Sequence, residues 1–94
     1  MNYLLIVGSR SITDYALISS VLAVHCNPET VIVTGGANGA DSLAERYADE
    51  HNLKKIIMKA DWDKYGKRAG YIRNAEMHKY ISQFENRLCI AFWD

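Results

Sequence analysis

A glycine-rich turn between a β-branched run and a helical pattern is the strongest chemical signal in the sequence. Thr34–Asp41 reads TGGANGAD, follows Thr30–Val33 and precedes an amphipathic segment that begins near Ser42. A helix N-terminus presents unpaired backbone N–H groups and partial positive charge, and glycines let a phosphate approach the main chain. The pattern therefore predicts an anion site, with a tight turn that needs glycine for its backbone angles as the alternative.

Two further positions near predicted turns carry polar groups suited to such a ligand. Gly8, Ser9 and Arg10 follow the first apolar run and supply a close-approach glycine, a hydroxyl donor and a guanidinium. Arginine suits bidentate contact with phosphate or carboxylate, and a solvated loop arginine is the alternative. Asp41 near the start of the second helical pattern suits either helix capping or a hydrogen bond to a ribose hydroxyl or to donors of the loop after the third strand.

The segment Ala60–Gly70, ADWDKYGKRAG, interleaves aromatic and charged residues. Trp62 and Tyr65 are predicted to stack on a base, with packing of both rings onto the core as the alternative. Lys64, Lys67 and Arg68 of the same segment suit contact with phosphates. Its two aspartates have no further acidic or histidine ligand nearby in sequence, so no metal site is predicted.

The next helical pattern begins with Arg73 and Asn74. Arg73 and Met77 are one helical turn apart and share a face. An arginine near a helix N-terminus is unfavourable for the helix dipole, which indicates another role for Arg73. The alternative is a surface ion pair with Glu76 or Asp41, and the Asn74 amide suits a base or ribose edge.

Apolar runs and helical patterns alternate along the whole chain. The predicted strands are Tyr3–Val7, Thr30–Thr34, Lys54–Met58 and Arg87–Trp93, and the predicted helices are Tyr15–His25, Ala40–His51 and Tyr71–Phe84. Ala60–Gly70 is predicted to be a long connection. This order predicts a Rossmann-like three-layer α/β/α fold with a four-stranded parallel sheet. Ligands of such sheets bind at the carboxyl ends of the strands, where the polar turns collect.

Helical spacing of apolar residues supports these three helices. Apolar residues recur at helical spacing in the first helix at Leu17, Val21 and Val24, and Leu43, Ala44, Tyr47 and Ala48 share one face of the second. The candidates for the buried side of the third helix are Ile72, Met77, Tyr80 and Ile81.

Composition fits one small domain of 94 residues. Eleven basic and eleven acidic residues give zero net charge, which argues against nucleic acid as a partner and leaves little repulsion against self-association. Cys26 and Cys89 are too far apart for a zinc or redox motif and are predicted to be free thiols in a reducing cytosol. No apolar run approaches the ~20 residues of a membrane span. We therefore expect a cytoplasmic protein without cofactor, metal or membrane association, located in the host cytoplasm if a phage encodes it.

Four of these segments together resemble the SLOG superfamily, the group related to DprA and to the LOG cytokinin-activating phosphoribohydrolases. They are Gly8–Arg10, Thr34–Ala44, Ala60–Gly70 and Arg73–Met77. The closest similarity is to short bacterial and phage domains of unknown function. The resemblance implies a nucleotide-derived ligand at the strand ends, with three glycines against a phosphate, Gly35, Gly36 and Gly39.

The resemblance also bears on catalysis. Arg73 and Met77 match the R-x-x-x-M spacing of the hydrolase branch, whose arginine contributes to the active site, so Arg73 and Asp41 are the candidate catalytic residues. The hydrolases carry a later P-G-G-x-G-T-x-x-E motif, and this sequence stops at Asp94. We therefore expect a single domain over 1–94 that lacks the last glycine/threonine loop and the C-terminal helix. Exposure of Ile90, Phe92 or Trp93 on the uncovered flank would favour a homodimer.

The resulting hypothesis is a domain that binds a nucleotide or nucleotide-derived small molecule. The alternatives are a nucleoside-monophosphate N-glycosidase and a nucleic-acid-associated module. The predicted ligand contacts are Gly8, Ser9, Arg10, Gly35, Gly36, Ala37, Asn38, Gly39, Asp41, Trp62, Tyr65, Arg73, Asn74 and Met77.

Overall fold

The computed structural model describes residues 2–93 and contains four strands and four α-helices. In chain order these are β1 (Asn2–Gly8), α1 (Tyr15–His25), β2 (Thr30–Thr34), α2 (Ala40–Glu50), β3 (Lys54–Ile57), α3 (Trp62–Tyr65), α4 (Ala69–Ser82) and β4 (Arg87–Phe92), with a 3₁₀ turn at Gly66–Arg68. All strand pairs are parallel, in the order β3-β2-β1-β4. The predicted α/β Rossmann-like fold with a four-stranded parallel sheet is confirmed.

The sheet is covered by helices on both faces, because alternate strand residues point to opposite sides. On one face, Leu4, Ile6 and Ile32 pack against α1 and α2. On the other face, Leu5 and Val33 pack against α4. The inner strand β2 is buried along its whole length, so the carboxyl edge of β1 and β2 lies between the two helical layers. No helix within residues 2–93 is long and apolar enough to cross a bilayer.

The apolar residues that mark α1 at helical spacing are not those that it buries most deeply. Leu17 and Val24 are 49% and 80% exposed, whereas Ile18 and Leu22 are fully buried. Helix α1 is apolar almost all round, so apolar spacing alone does not select one face. The start of the helix was predicted correctly, since Asp14 caps it by accepting a hydrogen bond of 3.1 Å from the backbone N–H of Leu17.

The segment predicted as a connection is largely helical. Helix α3 begins after Asp61, whose carboxylate accepts a hydrogen bond of 3.1 Å from the N–H of Lys64. Helix α4 begins at Ala69 and ends at Ser82, so both predicted ends were displaced by two residues. Glycine is unfavourable inside a helix, and Gly66 and Gly70 therefore argued against one in this segment. Gly70 nevertheless lies inside α4, where a Cβ would meet the Trp62 ring at an ordinary van der Waals distance.

The edge strand β4 ends at Phe92, one residue before its predicted end. Of the three residues whose exposure would favour a homodimer, Phe92 is buried in the core formed with α1 and α2, and Ile90 packs against the same core. Trp93 is 74% exposed. The buried Phe92 continues the register of β4 beside Gly8 of β1, which explains why this ring turns inward.

Candidate functional site

A cleft lies at the carboxyl edge of the sheet and consists of two adjoining cavities of about 320 and 340 Å³. The first, here called the aromatic compartment, is bounded on its own side by Asp41, Lys67, Tyr71, Asn74, Met77 and Trp93. The second, the glycine compartment, is bounded by Gly35, Gly36, Asn38, Lys59 and Ala60. Their common wall is formed by Arg10, Ala37, Trp62 and Arg73.

Arg73 reaches this common wall from the first turns of α4. Its Nη1 donates a hydrogen bond of 2.6 Å to the carbonyl oxygen of Gly35, and its Nε donates one of 2.9 Å to Oδ1 of Asn74. One turn further along α4, Met77 is 1% exposed in the core and anchors the helix against the sheet. A Cβ on Gly35 would overlap the guanidinium. Gly35 therefore leaves the space that Arg73 occupies.

The charge of Arg73 is not neutralised by a carboxylate in contact with it. Within residues 2–93 the ion pairs are Arg46–Glu50 and Lys55–Asp49, so the alternative pairing of Arg73 with Glu76 or Asp41 is not formed. Both described hydrogen bonds of Arg73 are to neutral oxygens. The guanidinium consequently keeps its charge available for an anion in the cleft.

Asp41 organises the glycine loop from inside. It is 5% exposed, and its Oδ2 accepts hydrogen bonds of 3.1 Å from the N–H of Gly35 and 3.3 Å from the N–H of Ala37. Burial raises the pKa of Asp41, while these two donors and the nearby Arg73 oppose the rise. Asp41 thus does not cap α2, whose N-cap Gly39 makes no side-chain hydrogen bond, but bonds to the loop that precedes the helix.

Gly39 and Ser9 hold two neighbouring turns together. A Cβ on Gly39, whose φ is 74°, would overlap the carbonyl oxygens of Ser9 and Arg10. The N–H of Ala40 donates to the Ser9 carbonyl at 3.2 Å. Gly8 borders the aromatic compartment, whereas Ser9 and Gly39 are not among the residues that line either compartment.

The two predicted stacking aromatics lie in different places. Trp62 is 49% exposed and lines both compartments, with the Arg10 guanidinium 5.7 Å from its ring centroid. Tyr65 instead borders a neighbouring depression of about 190 Å³ with Asp61 and Lys64. Tyr65 is the last residue of the single-turn helix α3, where the chain turns at Gly66, and the structure does not bring it to the cleft.

The lining residues that were not among the predicted ligand contacts include Lys59, Tyr71 and Trp93. Trp93 directly follows β4, and Lys59 lies two residues beyond β3. The rule that collects Gly8 and Arg10 at the carboxyl ends of strands therefore also indicates these two residues. Tyr71 is 77% exposed on the first turn of α4, and no sequence signal singled it out.

Comparison with known proteins identifies the family. A family model described as YspA, cpYpsA-related SLOG family matches residues 3–65, which run from β1 through α3. The Gene 61 protein of Mycobacterium phage D29 is 37% identical over 100 residues, which cover 98% of this chain and 77% of the phage protein. No solved structure gives a significant match. The predicted resemblance is confirmed, and the chain belongs to the YspA, cpYpsA-related SLOG family.

Proposed function

We propose that the cleft binds a nucleotide or nucleotide-derived small molecule, with its phosphate contacted by the Gly35–Gly39 loop and by two arginines. One observation carries the proposal. Within residues 2–93, four lining cations have no carboxylate at ion-pair distance, in a chain of zero net charge. They are Arg10, Lys59, Lys67 and Arg73. Such a cluster favours an anionic ligand, and SLOG membership favours a nucleotide-related one.

The internal carboxylate decides how the phosphate is held. Asp41 already accepts the N–H groups of Gly35 and Ala37, so these two donors are not free for a ligand. Recognition of phosphate then depends more on Arg10 and Arg73 than on the loop main chain. Charge-assisted contacts of this kind contribute about 1.5–3 kcal/mol each.

The nucleoside is assigned to the aromatic compartment. Its wall includes Trp62, Tyr71 and Trp93, and every base offers a flat face to such rings. Both described hydrogen bonds to Asp41 reach Oδ2, which leaves Oδ1 to accept from a ribose hydroxyl.

Thermal shift and calorimetry with AMP test the proposal, using Arg73→Ala and a matched control. Arg87 also donates its Nη1 at 2.6 Å to a main-chain carbonyl, that of Phe84, but it begins β4 at the opposite edge of the sheet. AMP should raise the melting temperature of the wild type and of Arg87→Ala, and much less that of Arg73→Ala. Equal responses of the two variants, or none in the wild type across a panel of nucleotides, would contradict the proposal.

N-glycosidic hydrolysis is a second candidate, favoured by the position of Asp41. This carboxyl group borders the compartment assigned to the nucleoside, and burial raises its pKa. A raised pKa suits a general acid for a leaving base. Chromatography of AMP after incubation would reveal free adenine if turnover occurs, and Asp41→Asn and Arg73→Ala should both abolish its release. Bound AMP recovered intact would leave a binding function alone.

A further inference from the structure

Strand β4 forms one edge of the sheet, and within residues 2–93 no strand pairs with its outer side. On its inner side the carbonyl of Phe92 accepts a hydrogen bond of 2.8 Å from the N–H of Ser9, directly after β1. The N–H and C=O of one strand residue point to the same side, and the next residue points its groups to the other side. The backbone groups of Arg87, Cys89 and Ala91 therefore point outward, away from the sheet.

The two edges of the sheet differ in how they are protected against a further strand. The opposite edge, β3, has four residues and begins with the exposed Lys54 and Lys55. Lysines on an edge strand oppose pairing with another chain. Strand β4 has six residues, RLCIAF, with Arg87 at its start as the only charge, and Leu88 is 45% exposed. Strand β4 is thus the edge that remains open to pairing.

The outward groups of β4 are arranged symmetrically about Cys89. When a second copy is turned about a two-fold axis at this residue, Arg87 lies opposite the partner's Ala91, and Cys89 lies opposite the partner's Cys89. In an antiparallel pair, each such opposed pair of residues exchanges two hydrogen bonds. Between these pairs the exposed Leu88 lies opposite the partner's Ile90, so that apolar side chains meet across the contact. The same strand therefore satisfies itself in both backbone and side-chain terms.

We propose that β4 pairs with β4 of a second copy of this chain, antiparallel, about a two-fold axis at Cys89. A two-fold contact uses the same patch on both copies, and it separates the two Arg87 side chains to opposite ends of the contact. The net charge of zero leaves little repulsion between the copies. Only Met1 and Asp94 of this sequence lie outside the described residues, so no other segment of it is left to form the missing strand.

This pairing joins two four-stranded sheets into one continuous sheet. Because the two copies run antiparallel, their carboxyl edges, and with them the two clefts, lie at opposite ends of the joint sheet. A contact confined to one strand is smaller than the ~800 Å² per partner of a typical stable interface. The dimer should accordingly be weak and depend on protein concentration.

Sedimentation velocity of the 94-residue chain without nucleotide, over a wide range of concentration, tests the pairing. Leu88→Lys places a charge in the contact, and Leu17→Lys is the matched control, because Leu17 is the same residue type and is 49% exposed on α1. The wild type and Leu17→Lys should dimerise as concentration rises, whereas Leu88→Lys should dimerise at least tenfold more weakly. Ala91→Pro should have the same effect by removing one outward N–H, which an edge strand tolerates. Circular dichroism of each variant verifies that it is folded.

Oxidative cross-linking tests the position of the two-fold axis. Opposed residues that exchange hydrogen bonds have Cα atoms about 5.5 Å apart, which lies within the span of a disulfide. Diamide accepts the two thiol hydrogens as the bond between the Cys89 Sγ atoms forms, so we expect a covalent dimer from the wild type and from Cys26→Ser, but not from Cys89→Ser.

Three results would overturn the inference. They are a monomer at every concentration, a dimer that survives both Leu88→Lys and Ala91→Pro, and a covalent dimer that depends on Cys26 instead of Cys89. Each measurement is made without nucleotide, so these results leave the proposed function of the cleft to its own test.

Discussion

The contact between Gly35 and Arg73 predicts an unusual effect of adding one methyl group. The three atoms nearest to a Cβ built on Gly35 all belong to the Arg73 guanidinium, and they are too close for both groups to remain. Gly35 does not have a positive φ, so alanine fits its backbone. Gly35→Ala should therefore displace the Arg73 side chain without unfolding the loop.

The magnitude follows from two opposing terms. Displacement removes the hydrogen bond of 2.6 Å from Arg73 to the Gly35 carbonyl, and a hydrogen bond to a charged group contributes about 1.5–3 kcal/mol. Replacing glycine by alanine returns about 0.4–1 kcal/mol by restricting the unfolded chain. We expect a net destabilisation on the order of 1–2 kcal/mol. AMP affinity should fall about 10- to 140-fold through loss of one charge-assisted contact.

A double-mutant cycle measured by urea unfolding and AMP titration separates this reasoning from a general effect on the loop. In the Arg73→Ala background the obstructing atoms are gone, so Gly35→Ala should be neutral or slightly stabilising and should not weaken AMP binding further. The Arg73 Nε–H signal in NMR spectra of Gly35→Ala should also lose the shift caused by its bond to Asn74. The reasoning is refuted if Gly35→Ala destabilises the protein equally in both backgrounds.

Three further predictions concern stability, pH and thiol reactivity. Met77→Ala should destabilise the fold by about 2–5 kcal/mol, because Met77 is 1% exposed between α4 and the sheet; an unchanged urea midpoint would contradict this packing. Burial raises the folded-state pKa of Asp41 above its ordinary 3.8. The stability of the wild type relative to Asp41→Asn should therefore be greatest at low pH and decrease as pH rises through that folded pKa. Unfolding curves of both proteins between about pH 3.5 and 7 test the direction of this change. Burial raises the pKa of Cys26 to about 11, so iodoacetamide at pH 8 should alkylate the exposed Cys89 first, and mass spectra showing equal rates would be inconsistent with this burial.

The sequence was sufficient where one physical signal dominated. Strands β1, β2 and β4 were predictable because each contains a short apolar run bounded by polar turns, and the start of α1 because Asp14 is a strong N-cap. The buried face of α1 was not predictable, since Leu17 and Ile18 are equally apolar and only packing on α2 and the sheet selects Ile18. The helical state of residues 62–70 was obscured by Gly66 and Gly70, although Asp61 supplied a cap signal.

The residues of the candidate site were likewise predictable from the sequence only in part. The rule that ligands bind at the carboxyl ends of parallel strands collected Arg10, Gly35 and Trp62 correctly at one cleft. It did not separate Trp62 from Tyr65, because that distinction depends on where the short helix α3 ends. The contact between Gly35 and Arg73 joins residues 38 positions apart, and such a pairing depends on the tertiary fold.

The glycine-rich turn acts mainly through the side chains that it positions. Gly35 provides space for Arg73, and Gly39 packs on the carbonyls of Ser9 and Arg10. Asp41 meanwhile accepts two of the N–H groups that a bare phosphate-binding loop would offer to its ligand. Since the loop and the first turn of α2 thus carry an internal carboxylate, an incoming phosphate meets negative charge there that only the neighbouring cations offset. Ligand affinity should accordingly depend on salt and on Arg73 more strongly than on any single loop donor, which distinguishes this cleft from a site in which the backbone alone holds the anion.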